Sequence, residues 1–107
     1  KDPLPCADII FCRDCLVHLS FADIFKSLKN IKKSSFKFLI TTNFLNREIN
    51  EDIATGSWRT INFYKSPFNF PKSIDDINEK CSEAENQYQD KVLSIWNIDS
   101  IPFYDKY

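Results

Sequence analysis

The chain has 107 residues, the length of one small domain, with 43% hydrophobic and 27% charged residues, a balance that predicts a packed core rather than disorder. A formal net charge of -1 provides no electrostatic footprint for a nucleic-acid backbone, and no apolar run approaches the roughly 18 residues of a membrane span. With one glycine, Gly56, and no methionine, the chain excludes a glycine-rich phosphate loop and is expected to be a processed product or a segment of a longer protein.

The first predicted element is "ADIIFC" at 7–12, an apolar, β-branched and aromatic run with Pro3 and Pro5 upstream. Lacking polar alternation, it predicts a strand buried on both faces, as in a parallel sheet. Next comes "SFADIFKSLKNIKK" at 20–33, which predicts a helix. Ser20 is a good N-cap, and Asp23 three residues on makes a variant of the capping box. Leu19 and Ile24 are placed for a hydrophobic staple, and Phe21, Ile24, Phe25, Leu28 and Ile31 form one apolar stripe. Lys26, Lys29, Lys32 and Lys33 crowd the C-terminal half, where the helix dipole favours cations.

A second strand is predicted in "FKFLITTNF" at 36–44, completing a βαβ unit with parallel strands. The polar "LNREINEDIATG" then reads as a loop, followed by the aromatic, proline-punctuated "SWRTINFYKSPFNFPK". Two late segments, "SIDDINEKC" and "KVLSIWNIDSI", joined by the polar "SEAENQYQD", predict an antiparallel strand pair. In the last of them, Val92, Ser94 and Trp96 alternate with Leu93, Ile95 and Asn97. The class is therefore α/β, but one helix covers only one face of such a sheet. The other face is expected to be bare, as for part of a larger domain.

The stretch "FCRDCLVHLS" at 11–20 concentrates the chemistry. As a metal knuckle, Cys12, Cys15 and His18 would need Cys6 or Cys81 as a fourth zinc ligand, but the chain has a single histidine and no second ligand pair at short spacing. As a dithiol, Cys12 and Cys15 would need a helix N-terminus to lower a thiol pKa, and the predicted helix starts further on, at Ser20. The third reading rests on position. The stretch lies at the carboxyl end of a parallel strand, where open α/β sheets bind ligands, and it carries Arg13, Asp14 and His18 there. The four cysteines make no disulfide framework, so reduced thiols in the cytoplasm are expected.

"PLPCADIIFCRDCLVHLSFADIFKSLKNI" resembles the fourth-strand region of class I S-adenosylmethionine-dependent methyltransferases: an Asp, apolar residues, a Cys-Arg pair, then Leu-x-His-Leu and a helix. Asp8, Ile9 to Phe11, Cys12, Arg13, Leu16, His18 and Leu19 fall on that pattern. "FKFLITTNF" occupies the place of the next strand and "KVLSIWNIDSIP" that of the closing strand. "ATGSWRTINFYKSPFNFPKSI" resembles a Gly-x-Trp-Arg…Pro-Phe stretch of some members. The resemblance implies that residues 1–107 are the C-terminal half of one Rossmann-like methyltransferase domain, a βαβ unit followed by an antiparallel strand pair, without the glycine-rich cofactor-binding half. It implies S-adenosylmethionine as cofactor of the longer protein and an inactive segment by itself. Cys12 and Arg13 would lie on the cofactor side, and Asp14 and His18 would serve in catalysis. Thr42, Asn43, Trp58, Arg59 and Asn62 would contact the substrate. The acceptor is unidentified: a small molecule first, a protein second, nucleic acid last, with no membrane partner. The alternatives are a non-catalytic Rossmann-like interaction module, or a small zinc module on Cys12, Cys15 and His18.

Overall fold

The computed structural model describes residues 8–78 and 90–102. Cys6, Cys81 and all but the last residue of the polar connector at 82–90 lie outside the described residues. The elements are β1 (Ile9–Cys12), α1 (Phe21–Lys33), β2 (Phe38–Phe44), β3 (Asp75–Asn78) and β4 (Lys91–Asn97), with a 3-10 turn at Leu16–His18 and another at Ile98–Ser100. They form a small α/β domain around one open, mixed, four-stranded sheet of order β1-β2-β4-β3. β1 and β2 are parallel across α1, as expected of a βαβ unit. β4 is antiparallel to both β2 and β3, so the late strands do pair, but the last one inserts beside β2 and pushes β3 to the edge.

α1 begins where its cap chemistry places it: Ser20 Oγ accepts the Asp23 N–H at 3.1 Å. The reciprocal half of the capping box is relayed rather than direct. Ser20 N–H donates to Thr55 Oγ1 at 2.9 Å, and that hydroxyl donates in turn to the Asp23 carboxylate. The predicted apolar stripe packs inward, with Ile24, Phe25, Leu28 and Ile31 buried. At the other end Lys32 Nζ donates to the carbonyls of Ile98 and Ile101, tying the helix to the chain after β4.

The register divides the sheet into two unlike faces, because paired residues share a face and neighbours alternate. Leu39, Trp96 and Val92 point to the face that α1 covers, where Leu39 and Trp96 join Ile61, Phe63, Phe68 and Phe70 in the core. The aromatic stretch after residue 60 is thus largely core. Phe70 meets Trp96 edge-on at 4.7 Å between centroids, Phe68 and Phe70 each lie 5.0 Å from Phe63, and Trp96 Nε1 donates to the Pro71 carbonyl at 2.8 Å.

The opposite face carries Ile9, Phe11, Ile40, Ile77, Leu93 and Ile95, and none of them is buried. Phe11 is 56% exposed, so β1 is covered on one face and not, as its apolar run predicts, on both. Among the described residues, the end of this face near the buried Thr42 and Phe44 is covered by loops rather than by a helix.

Candidate functional site

Those loops build the site. After β1 the chain turns sharply at Asp14, whose φ of 55° lies in the left-handed region that Asp tolerates better than most residues. Two contacts hold the turn over the end of β2. Asp14 N–H donates to Thr42 Oγ1 at 2.7 Å, and Lys91 Nζ at the start of β4 lies 2.9 Å from the Asp14 carboxylate. Beside them Thr41 Oγ1 donates to the Cys12 carbonyl at 3.2 Å. Carboxyl ends of the two parallel strands are therefore joined by side chains, and Asp14 stands at their rim with an exposed carboxylate.

The second wall is the segment 55–59. Gly56 N–H donates to the His18 carbonyl at 2.8 Å, and Arg59 N–H to Val17 at 3.2 Å. Gly56 has a φ of 104°, a conformation open chiefly to glycine. Trp58 reaches over the end of β2 and meets the Phe44 ring edge-on at 6.4 Å. His18 is exposed, with Nδ1 3.0 Å from the Ser57 carbonyl. A carbonyl oxygen only accepts, so Nδ1 is the donor in this contact, an arrangement that in the neutral ring makes Nε2 the acceptor.

The structure thus brings Cys12, Asp14 and Thr42 together at the strand ends, with Arg13 in the same turn, and seats His18, Trp58 and Arg59 along the adjoining loop. No hydrogen bond joins Asp14 to His18. Asn43 and Asn62 are placed differently, with both ends of each amide engaged inside the fold. Asn43 Nδ2 donates to Ser94 Oγ and its Oδ1 accepts the Phe63 N–H. Asn62 Nδ2 donates to the carbonyls of Leu45 and Arg47, and its Oδ1 accepts the Tyr64 N–H. Both are buried and organise the 45–64 loop, with Asn50 closing the same clamp from the other side by accepting the Asn62 N–H.

Cys12 and Cys15 are free thiols, and among the described residues no group of three His, Cys, Asp or Glu side chains is positioned to hold a metal ion. Burial, and then the neighbouring Cys15, push the Cys12 thiol up to about 11, the reverse of what a nucleophilic dithiol requires. Among the described residues no helix is long and apolar enough to cross a membrane.

Sequence reasoning did not find Lys91, the partner of Asp14, or Thr55, the relay of the helix cap. A lysine opening an otherwise apolar strand run is the one local sign of Lys91, since its partner lies far away in sequence. No family model, no curated protein and no solved structure matches the chain.

Proposed function

We propose that this chain is the C-terminal half of a Rossmann-like, S-adenosylmethionine-dependent methyltransferase domain and that the crevice at the ends of β1 and β2 is its reaction site. The observation that carries the reading is the side-chain bridge from Thr42 and Lys91 to Asp14, which presents a carboxylate at the ends of two parallel strands. The βαβ unit followed by an antiparallel pair is also the arrangement that the resemblance implies.

Bound there, the cofactor supplies an electrophilic methyl group on a sulfonium, and the protein's part is chiefly positioning. Cys12 and Arg13 form the cofactor-side edge of the crevice. Asp14, held by the Lys91 ammonium and by its own bonded N–H, is pre-organised to orient an acceptor group. His18 Nε2, with Nδ1–H committed to Ser57, takes the acceptor's proton. Trp58 forms a wall above Phe44. A small-molecule acceptor is the first candidate, and the cytoplasm suits the free thiols of Cys12 and Cys15.

Ultraviolet cross-linking of methyl-labelled S-adenosylmethionine to the longer protein tests the reading. Label is expected on the peptide spanning 9–19, and should be displaced by the demethylated cofactor. Label spread evenly over the protein, or undiminished by that competitor, contradicts the reading.

A further inference from the structure

The loop "NREINED" at 46–52 is strongly polar apart from Ile49, which is 78% exposed. Ile49 lines a cavity of about 480 Å³, well inside the size range of ligand pockets. Phe21 and Pro67, both half-buried, add apolar surface to the same wall. Apart from Phe21, the lining residues fall in two segments, 48–50 and 65–67.

Asn50 ties the two segments together. Its Nδ2 donates to the Ser66 carbonyl at 3.0 Å and to the Asn62 carbonyl at 2.9 Å, and its Oδ1 accepts the Asn62 N–H at 2.8 Å. The turn that carries Lys65 is closed by its own backbone. Lys65 N–H donates to the Asn62 carbonyl, and the Lys65 carbonyl accepts the N–H groups of Phe68 and Asn69. The Phe21 ring meets Phe68 edge-on at 5.4 Å between centroids and has the Arg59 guanidinium 5.2 Å from its own centroid. Fixed backbone and a fixed ring thus build the cavity, so little ordering is needed when a ligand enters.

Charge selects what fits. Glu48 belongs to one segment and Lys65 to the other, and both are exposed. Among the described residues neither forms an ion pair, with the other or with any further group. A simple anion would be repelled by Glu48 and a simple cation by Lys65. A zwitterion can face both, while its apolar side chain covers Phe21, Ile49 and Pro67. We propose that this cavity binds a free amino acid with an apolar side chain, its ammonium toward Glu48 and its carboxylate toward Lys65. The wall includes none of the residues that the methyl-transfer reading uses, so either proposal can fail without the other.

The test is a titration of nitrogen-15-labelled protein with L-leucine at constant pH and ionic strength, followed at the backbone amides. Saturable shifts are expected at residues 48–50, 65 and 66. Three parallel probes separate the contacts: N-acetyl-L-leucine lacks the ammonium, L-leucinamide lacks the carboxylate, and glycine lacks the apolar side chain. Each is expected to bind more weakly than leucine. Glu48→Gln and Lys65→Gln are exposed changes, and each is expected to weaken leucine binding about threefold, the scale of an exposed ion pair. Glu48→Gln should not weaken N-acetyl-L-leucine, nor Lys65→Gln weaken L-leucinamide, because each variant removes a partner that its probe cannot use. No saturable shift up to about 50 mM leucine overturns the proposal. Glycine binding as tightly as leucine, shifts centred elsewhere, or a capped probe weakened as much as leucine by its variant also overturn it.

Discussion

At Asp14 a left-handed backbone coincides with the carboxylate on which the proposed function rests. Its left-handed backbone is secured by Thr42 Oγ1 and its carboxylate by Lys91. Thr42→Val keeps the shape but removes the acceptor for the Asp14 N–H, so it should cost about 1 kcal/mol in denaturant unfolding. Cys12 and Cys15 should separate chemically, because Cys15 is exposed and Cys12 is half-buried with its thiol raised. Mass-spectrometric mapping with iodoacetamide near neutral pH should find Cys15 alkylated well before Cys12; equal rates would contradict the placement. The raised thiol also links pH to stability. The folded chain favours protonated Cys12, so this contribution is intact below the ordinary value of 9.0 and is lost as pH rises through about 11. Cys12→Ala should flatten the fall in stability over that window, as read by denaturant midpoints. None of this was legible in "FCRDCLVHLS" itself. The stretch marked where chemistry would concentrate, but Thr42 and Lys91 are remote in sequence, and only the fold delivers them.

At the scale of elements, what is local was readable and what is non-local was not. α1 starts at its predicted cap because Ser20, Asp23 and the apolar stripe act within a few residues of one another. Ser20→Ala should cost about 1 kcal/mol, measured by chemical denaturation. Thr55→Val should produce a similar loss, since it breaks the relay from Ser20 to Asp23; no loss would mean that the relay contributes nothing. Both parallel strands and β4 follow from short apolar runs, whereas β3 is mostly polar and exposed, and no local signal places β4 between β2 and β3. That order brings together complementary side chains remote in sequence, such as Leu39 beside Trp96 and Asn43 bonded to Ser94. The aromatic stretch at 57–72 reads equally as lid or as core from its residues. Packing divides it, with Trp58 at the crevice and Phe63, Phe68 and Phe70 inside.

At the scale of the molecule, the sheet is lopsided. One face holds the core, while the other exposes Phe11 and Ile77 and leaves Ile40, Leu93 and Ile95 half-buried, with β1 at the edge of the sheet among the described residues. An apolar sheet face of this kind should bind the dye ANS, and Phe11→Glu should reduce its fluorescence without loss of secondary structure. A dye signal no higher than that of a fully covered domain would contradict the exposed face. The bare face was legible from counting one helix against two parallel strands, but its partly covered end was not, because the covering loops have no periodicity. Calorimetric titration of S-adenosylhomocysteine into the longer protein that the proposed reading implies, repeated with Arg13→Ala, tests the methyltransferase reading most directly. The account predicts one saturable site weakened several-fold by the substitution; no heat of binding to the unaltered protein would contradict it.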